Sequence, residues 1–325
     1  MSKRGWLLFV ALGIIWGLPY LLIRVAVREV SPAFLVFVRT GGGALLMAPL
    51  FARRGVLAPL LRHWKPIVIY SVVEIAIPWW LLFSAEKKVS SSVSGLLVSL
   101  VPIASAIIAR VTGSERIGAR RLAGLALGIA GAAALVGFGM GGSSLLATSS
   151  FLVIVTGYAL GPWVLSRHLS DLPGPTVVLA SLVLCALIYL PLAATSLPVH
   201  PLSAEVVLSM VGLTAVCTVL AFISFFALIQ EVGAMRATVV TYVNPAVAVL
   251  LGVSLLGESF GPWRAAGFVT VLGGSFLATR PGKVRPTEMP LAEVTGAEVT
   301  GAELAAAEGA AVPGGRLSGR GVDRA

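Results

Sequence analysis

The fold is decided by a stretch that occurs twice: SERIGARRLAG at residues 114–124 and GESFGPWRAAG at residues 257–267. The wider copies run from Ser90 to Val136 and from Gly233 to Thr279, with a constant offset of 143 residues and no gap. The residues identical at this offset are Pro102 and Pro245, Glu115 and Glu258, Gly118 and Gly261, Arg121 and Arg264, Ala123 and Ala266, Gly124 and Gly267, and Gly131 and Gly274. A shared offset at so many positions indicates an internal duplication, which has to be recognised before a fold is assigned.

The composition is typical of a polytopic membrane protein. Apolar residues make up 57% of the 325 residues and charged residues only 12%, whereas a soluble domain has roughly 25% charged residues. The two cysteines, Cys185 and Cys217, lie inside apolar runs and indicate neither a disulfide framework nor a metal site. The net charge of +10 comes from Lys and Arg at the ends of apolar runs rather than from one basic face. This distribution argues against nucleic acid as a partner, and we expect no metal and no cofactor.

The apolar runs predict membrane-spanning helices, because about 20 residues of helix cross a bilayer core of about 30 Å. Ten runs qualify: 6–26, 33–52, 66–85, 91–111, 119–139, 150–167, 175–194, 206–229, 235–256 and 262–279. If the N-terminus is inside, fifteen Lys and Arg residues fall at cytoplasmic helix ends and five at external ones. Cytoplasmic loops of membrane proteins carry such an excess. We therefore expect a multi-pass protein of the plasma (inner) membrane, embedded in the lipid bilayer, with both termini cytoplasmic.

The repeat extends over the whole set of predicted helices. Upstream of the quoted stretch, Pro19 and Pro162, and Pro32 and Pro175, are also 143 residues apart. Helices 1–5 thus return as helices 6–10, and because five is odd the two halves are inverted in the membrane. The predicted fold class is all-α and integral to the membrane. The predicted segments are a first five-helix repeat (1–139), an external linker (140–149), a second repeat (150–280) and a disordered cytoplasmic tail (281–325). Inverted repeats are typical of secondary transporters whose substrate site lies near the bilayer midplane.

Several short motifs carry a family resemblance over residues 1–280. They are Trp16-Gly17, Arg39, Pro102 with Ser114-Glu115-Arg116, Tyr242-Val243-Asn244-Pro245, and Leu256-Gly257-Glu258-Ser259. In this order they resemble the EamA-type members of the drug/metabolite transporter superfamily. The resemblance implies a ten-helix carrier with inverted five-helix halves, of a kind that in many cases exports amino acids, other metabolites or drugs. It also implies that helices 1, 3, 4, 6, 8 and 9 line the central cavity. The second half departs from the pattern, with Leu182 where Arg39 would map, so we expect an asymmetric polar site.

Two charged residues lie well inside the predicted helices, and such residues are functional candidates by default. Arg39 is about 12 Å deep from the outer side and Glu74 about 12 Å deep from the inner side. In a core of about 30 Å their depths differ by only about 6 Å. Three interpretations remain open: a structural ion pair, a proton-coupling carboxylate at Glu74, and direct contact with substrate. The second makes protons a candidate coupling ion, because burial and a nearby cation move a carboxyl pKa in opposite directions.

The remaining site candidates are aromatic, small polar or proline residues. The substrate-cavity candidates are Trp16, Tyr20, Trp79, Ser94, Ser99, Tyr158, Trp163, Phe222, Tyr242 and Asn244. An aromatic belt at the membrane interface is the alternative for the aromatic members of this set. Pro19 and Pro162 are interpreted as matched helix breaks that act as hinges. Pro102, Glu115, Pro245 and Glu258 are interpreted as structural markers of the repeat, each Glu lying at the start of the helix that follows it, where free N–H groups favour a carboxylate.

The sequence lacks the motifs of common enzymes. It contains no His-Glu-x-x-His, Gly-x-Ser-x-Gly or Walker sequence. We therefore expect a non-enzyme: a secondary transporter that exports small organic metabolites such as amino acids, by alternating access around a midplane cavity. The alternatives are a multidrug or other solute carrier of the same fold, a lipid scramblase, and a membrane enzyme that transports nothing.

Overall fold

A computed structural model describes residues 2–52, 57–112, 118–139, 145–232, 240 and 243–279. Within these ranges the regular structure is entirely helical. The α-helices are α1 (Lys3–Ala26), α2 (Pro32–Phe51), α3 (Leu57–Arg62), α4 (Trp64–Tyr70), α5 (Ile77–Ala85), α6 (Ser91–Val98), α7 (Val101–Val111), α8 (Ala119–Gly139), α9 (Leu145–His168), α10 (Gly174–Ala194), α11 (Ala204–Val211), α12 (Ala221–Val232), α13 (Asn244–Leu256) and α14 (Pro262–Thr279). The segment Ser114–Arg116 (which includes Glu115), Tyr242 and the predicted tail lie outside the described residues.

Seven helical stretches of the described chain are long and apolar enough to cross a membrane. They are Lys3–Ala26, Pro32–Phe51, Trp64–Ala85, Ser91–Val111, Ser149–His168, Gly174–Ala194 and Ala204–Val232. Their outward faces carry large apolar side chains, among them Leu7, Val111 and Leu152, each more than two-thirds exposed. Water disfavours contiguous apolar surface of this kind, whereas lipid accommodates it. The predicted all-helical membrane class is confirmed, and the number of ten spans stays a prediction.

Serine hydroxyls mark where three of these helices begin. Ser31 accepts a hydrogen bond from the N–H of Phe34 at 3.1 Å, and Ser90 accepts one from Val93 at 3.4 Å. Ser203 does the same at the start of α11. The first N–H groups of a helix have no partner within it, so a serine at this position stabilises the start by about 1 kcal/mol. All three serines lie at the end of the bundle where α1 terminates, which we call the distal face; the end where α1 begins is the proximal face.

Elements related by the 143-residue repeat pack against each other. α2 packs on α10, its counterpart in the second half, and α8 packs on its counterpart α14. α1 packs on α13, and the counterpart of α1, which is α9, packs on α7, the counterpart of α13. The contact of α1 with α13 is thus made again by α9 with α7, with the roles of the halves exchanged.

Two glycines bring α8 and α14 into close backbone contact. A Cβ added at Gly274 would lie 2.6 Å from the Cα of Gly128, whereas a Cβ at the neighbouring Gly273 would meet nothing within 4 Å. Small residues at helix interfaces in membranes allow this approach. The spacing of the two helices therefore depends on the absence of a side chain at Gly274.

We expect Gly274→Ala to destabilise the protein by about 1–3 kcal/mol, because the added methyl group overlaps backbone that cannot rotate away. The matched control, Gly273→Ala, is expected to be neutral or to stabilise by up to about 1 kcal/mol through helix propensity. Thermal unfolding in detergent can be followed with a thiol-reactive dye, since Cys185 and Cys217 are free and buried. Equal shifts of the midpoint for the two variants would contradict the packing argument.

The helices α1 and α9 are not interrupted at their prolines, where the sequence predicts breaks. Pro19 and Pro162 lie inside helices that continue on both sides, so the predicted helix breaks are wrong at these positions. A break does occur between α6 and α7, at Ser99 and Leu100, directly before Pro102. Proline at the second position of α7 is tolerated because the first N–H groups of a helix are free of partners anyway. Whether Pro19 and Pro162 act as hinges stays a prediction.

Two wider π-helical segments interrupt regular helices at equivalent places in the repeat. Ser71–Ala76 separates α4 from α5, and Gly212–Leu220 separates α11 from α12; a shift of 143 residues places the first segment inside the second. Short π segments are frequent at functional sites. Carbonyls in the first segment accept hydrogen bonds from α10: Ala76 from the Tyr189 hydroxyl at 2.9 Å and Ser71 from the Cys185 thiol at 3.4 Å.

Candidate functional site: a buried arginine cluster

Arg39 is the centre of the polar site. Its guanidinium carbon lies 3.7 Å from the centroid of the Trp79 ring, and only 7% of the residue is exposed. Its Nε donates a hydrogen bond to the Thr218 hydroxyl at 2.9 Å. Thr218 belongs to the second π segment and donates in turn to the carbonyl of Leu213, five residues earlier. The wider turn of the second π segment therefore sets the position of the Thr218 hydroxyl, which accepts the hydrogen bond from Arg39.

Two tyrosines complete this site. Tyr20 of α1 and Tyr158 of α9 lie near enough to Arg39 to interact with it electrostatically. Tyr20 is buried, and Tyr158 lies beside the Trp79 side chain. We call Tyr20, Arg39, Trp79, Tyr158 and Thr218 the Arg39 cluster. Four of the five are sequence-predicted site residues that the fold brings together, and Thr218 was missed because nothing in the sequence distinguishes it from other threonines in apolar helices.

The predicted ion pair between Arg39 and Glu74 is not formed. No carboxylate of the described residues lies within ion-pair distance of Arg39; the ion pair found in this part of the chain joins His63 and Asp171 at 3.3 Å. Glu74 faces α9, where a Cβ at Gly161 would overlap its carboxylate, and its Oε2 is buried without a hydrogen-bond partner among the described residues. The interpretation as an ion pair is wrong because similar depth does not determine the direction in which a helical side chain points.

Two predicted cavity residues, Trp16 and Trp163, lie elsewhere, whereas Phe222 packs against the same apolar cluster as Tyr20 and Trp79. Trp16 packs against Phe225, with ring centroids 4.9 Å apart, in a separate apolar cluster. Trp163 lies in another cluster, beside His168 at 5.7 Å. Phe222 stacks with Phe226 at 6.4 Å. These contacts are those of packing residues, and they separate Trp16 and Trp163 from the Arg39 cluster.

Of the three small polar candidates, two make hydrogen bonds within the protein and one does not. The Ser99 hydroxyl donates to the carbonyl of Leu96 at 2.5 Å. The Asn244 amide donates to the carbonyls of Gly13 and Val240, at 3.3 and 3.1 Å, when its nitrogen is turned towards them. Ser94 is fully buried, and its Oγ has no partner among the described residues. Ser94 is thus the one of the three that is available to a ligand.

Glu86 is a buried carboxylate that sequence reasoning missed. It is 0% exposed, and neither carboxylate oxygen has a hydrogen-bond partner in the part of the chain that the structure describes. Arg24 donates to the backbone carbonyl of Glu86 and not to the carboxylate. Burial raises the pKa of Glu86 well above its usual value; Glu258 also raises it, and Arg24 and Ser94 lower it. The sequence provides no signal for this burial, because Glu86 precedes Lys87 and Lys88 and has the pattern of a loop.

Glu258 holds the start of a helix in the other half of the chain. Its carboxylate accepts hydrogen bonds from the N–H groups of Ser91 and Ser92, at 2.7 and 2.9 Å, and from both hydroxyls, at 2.9 and 2.5 Å. The expectation that it serves the helix following it is therefore wrong, because the free N–H groups that it reaches belong to α6. Burial acts to raise the pKa of Glu258, but these hydrogen bonds outweigh it and hold the pKa below its usual value.

Neither of two clefts found on the surface of the described chain is lined by a residue of the Arg39 cluster. One lies at the proximal face and is lined by Ala58, Pro59, Arg62, His63, Asp171, Leu172 and Pro173. Another is a largely apolar groove between α9 and the region around Val73 and Ile77. No group of His, Cys, Asp and Glu in the described ranges is arranged to hold a metal ion. Tyr20, Arg39, Trp79 and Thr218 are all buried, so most of the Arg39 cluster is shielded from the surface.

Comparison with known proteins accounts for the duplicated architecture. Residues 3–137 and 145–280 each match the model of the EamA-like transporter family. The chain belongs to this family. As an EamA-like protein it is a multi-pass membrane transporter built from two repeats, and the resemblance predicted from its short motifs is confirmed.

Named relatives of this EamA-like chain cover most of its length. An uncharacterized inner membrane transporter, YedA, of Escherichia coli (strain K12) is 29% identical over 80% of this chain and 86% of its own. A probable amino-acid metabolite efflux pump of Salmonella typhimurium is 25% identical over 88% of this chain and 98% of its own. A crystal structure with 22% sequence identity superposes with a TM-score of 0.59, over 86% of this chain and 97% of the other. That structure supports the fold alone.

Proposed function

We propose that this EamA-like protein is a secondary transporter that exports a small organic metabolite bearing a carboxylate, such as an amino acid. The observation that carries the proposal is Arg39: a buried guanidinium with no carboxylate partner among the described residues. A buried charge is costly unless it is paired. A substrate carboxylate supplies the missing partner of Arg39. The planar guanidinium group can bind a carboxylate through two parallel hydrogen bonds.

The walls of the Arg39 cluster support an amphipathic substrate. Trp79 and Phe83 flank the guanidinium, at 3.7 and 5.9 Å from their ring centroids. Tyr20 and Tyr158 add hydroxyl groups. Binding sites for small molecules combine mostly apolar walls with a few placed polar groups, so an amino acid with an apolar side chain fits this lining.

The predicted arrangement of ten spans in two inverted halves leads us to propose transport by alternating access. The exchange of roles between α1 with α13 and α9 with α7 is what an in-plane pseudo-two-fold axis produces. With fifteen Lys and Arg at one set of helix ends against five at the other, the proximal face is cytoplasmic and the distal face external.

Contacts between the halves at both faces favour an occluded conformation. At the distal face Glu258 holds Ser91 and Ser92. At the proximal face the Ser2 hydroxyl donates to Glu231. Alternating access requires one of these contacts to open while the other stays closed. Coupling to protons through Glu74 remains a proposal that its buried, unpartnered oxygen supports.

The names of two relatives also support an amino acid as the substrate. Besides the Salmonella protein, a probable terminal-alkyne amino-acid exporter of Streptantibioticus cattleyicolor is 24% identical over 86% of this chain. At this identity a substrate does not transfer by itself, because the side chains that select it diverge faster than the fold. The names support an amino acid as the first substrate to test.

The decisive measurement is counterflow in proteoliposomes. Vesicles are loaded with one unlabelled apolar amino acid, and uptake of the same labelled amino acid is followed. We expect accumulation with leucine, methionine or phenylalanine inside, and none in protein-free vesicles. Transport of cationic dyes but of no amino acid would favour a multidrug carrier. Equilibration of labelled phospholipid between leaflets without amino-acid transport would favour a scramblase.

A further inference from the structure

Two polar side chains at the distal end of the bundle have no assigned role and no partner. Glu86 and Ser94 are both 0% exposed, and three of their oxygens, Glu86 Oε1 and Oε2 and Ser94 Oγ, lack hydrogen bonds to any described residue. The two side chains are neighbours, since Ser94 is close enough to Glu86 to lower the pKa of its carboxyl group. Buried polar groups are nearly always satisfied. Three buried acceptor atoms without a partner among the described residues indicate a site for a ligand that donates hydrogen bonds.

We propose that Glu86 and Ser94 bind the ammonium group of the transported substrate. The inference rests on the proposed function and deepens it, since Arg39 would bind the carboxylate of the same molecule. An ammonium group has three donors, which matches the three free acceptor oxygens.

The tyrosines connect the two poles of the site. Tyr20 and Tyr158 each lie near enough to both Arg39 and Glu86 to interact with them electrostatically. Both tyrosines are therefore close to the cationic pole and to the anionic pole. A zwitterion that spans the tyrosines satisfies both buried charges at once, whereas a simple carboxylic acid satisfies one.

The other charged groups around Glu86 are occupied. Arg24 of α1 directs its guanidinium to the backbone carbonyl of Glu86, and Glu258 is engaged by Ser91 and Ser92. Among the described residues, the hydroxyls of Tyr20 and Tyr158 are further titratable groups close to Glu86. The carboxylate oxygens of Glu86 are thus the acceptors left for a cation.

The site has a defined pH dependence. Burial raises the pKa of Glu86 well above its usual value, so at acidic pH the carboxyl group is protonated and neutral. A protonated carboxyl no longer attracts an ammonium group. Binding of an ammonium ion should therefore tighten as pH rises through the raised pKa.

Ligand-induced thermal stabilisation of the purified full-length protein in lipid nanodiscs tests the site without assuming a transported substrate. The probe is n-butylammonium chloride, with sodium butyrate and sodium chloride as separate arms. We expect the stabilisation of the wild type by butylammonium to increase as the pH is raised, because burial raises the pKa of Glu86 and deprotonation restores its negative charge. Glu86→Gln should weaken the apparent affinity about tenfold or more, since hydrogen bonds to charged groups contribute about 1.5–3 kcal/mol each. Ser94→Ala should weaken it less.

Several outcomes would overturn the assignment. One is a wild type that does not respond to butylammonium; another is a Glu86→Gln protein that responds as the wild type does. Equal stabilisation by sodium chloride would replace the ammonium site with an alkali-cation site. Glu86→Asp keeps the charge and should retain part of the response, which separates loss of the site from misfolding. Butylammonium binding without transport of any amino acid would contradict the proposed function and leave the cation site standing.

Discussion

Arg39→Gln is expected to abolish transport of carboxylate-bearing substrates, with at least about a hundredfold loss of uptake. The reason is that Gln removes the buried cation and its paired donors, and charge-assisted hydrogen bonds of this type contribute about 1.5–3 kcal/mol each. Arg39→Lys keeps the charge but cannot stack a planar group on Trp79 while donating to Thr218, so we expect it to recover only a small part of the activity. Counterflow uptake of the labelled amino acid is to be compared among the wild type, Arg39→Gln and Arg39→Lys.

The matched control is Arg28→Gln, which removes an exposed arginine near the same face and should transport normally. Thermal unfolding separates a functional from a structural role. A buried charge without a partner costs stability, so Arg39→Gln should melt at the same temperature as the wild type or higher. Normal transport by Arg39→Gln would remove Arg39 from the substrate site. Thr218→Val, which deletes only the supporting hydrogen bond at 2.9 Å, should reduce transport less.

Glu258→Ala is expected to destabilise the protein by about 2–3 kcal/mol, because the carboxylate holds two free N–H groups at the start of α6 and two serine hydroxyls. Glu258→Gln retains one acceptor oxygen and should lose about half as much. The control is Glu205→Gln, which neutralises an exposed acid in the first turn of α11 without removing a helix-holding contact. Chemical or thermal unfolding in detergent is the measurement.

The pH dependence provides an independent check on Glu258. Because its pKa is lowered in the folded protein, the contribution of its charge to stability is present above the usual carboxyl pKa and is lost as pH falls through the folded value. The wild type should therefore lose stability between about pH 5 and about pH 3, and Glu258→Gln should lose less over this window. An identical acid profile for both proteins would show that the contact with α6 contributes little.

The contact between Glu258 and α6 is expected to affect transport as well as stability. It belongs to the second half of the chain and holds a helix of the first half at the distal face. Weakening that contact should favour the conformation that is open on this side. The expectation that the Glu is a structural marker is therefore retained, but its partner lies in the opposite half, and the contact is a candidate for the closing of the distal face.

Features of this protein that depend on local interactions could be predicted from the sequence, whereas contacts between distant residues could not. Serines at 31, 90 and 203 start helices through hydrogen bonds to residues three positions later, so such starts can be predicted locally. The family resemblance was predictable too, because the order of the short motifs survives divergence. Arg39 was recognised as a candidate because a charge inside an apolar run is costly wherever it points.

Predictions about partners failed for Arg39, Glu74 and Glu258. Depth along a helix is readable from sequence at about 1.5 Å per residue, but the direction of a side chain around the helix depends on packing and on local widening. The π segment Ser71–Ala76 alters that direction for Glu74. The break expected at Pro19 occurs instead before Pro102, because neighbouring helices decide which proline interrupts a helix.

By itself the sequence determined the helical membrane class, the duplication and the family. The physical reason is that apolar length and backbone hydrogen bonding leave a bilayer-spanning chain few alternatives. The tertiary structure decided which polar groups meet: Arg39 with Trp79 and Thr218, Glu258 with α6, and Glu86 buried beside Ser94. A buried charge selects its neighbours by distance in space, and residues more than a hundred positions apart come within 3 Å only once the helices have packed.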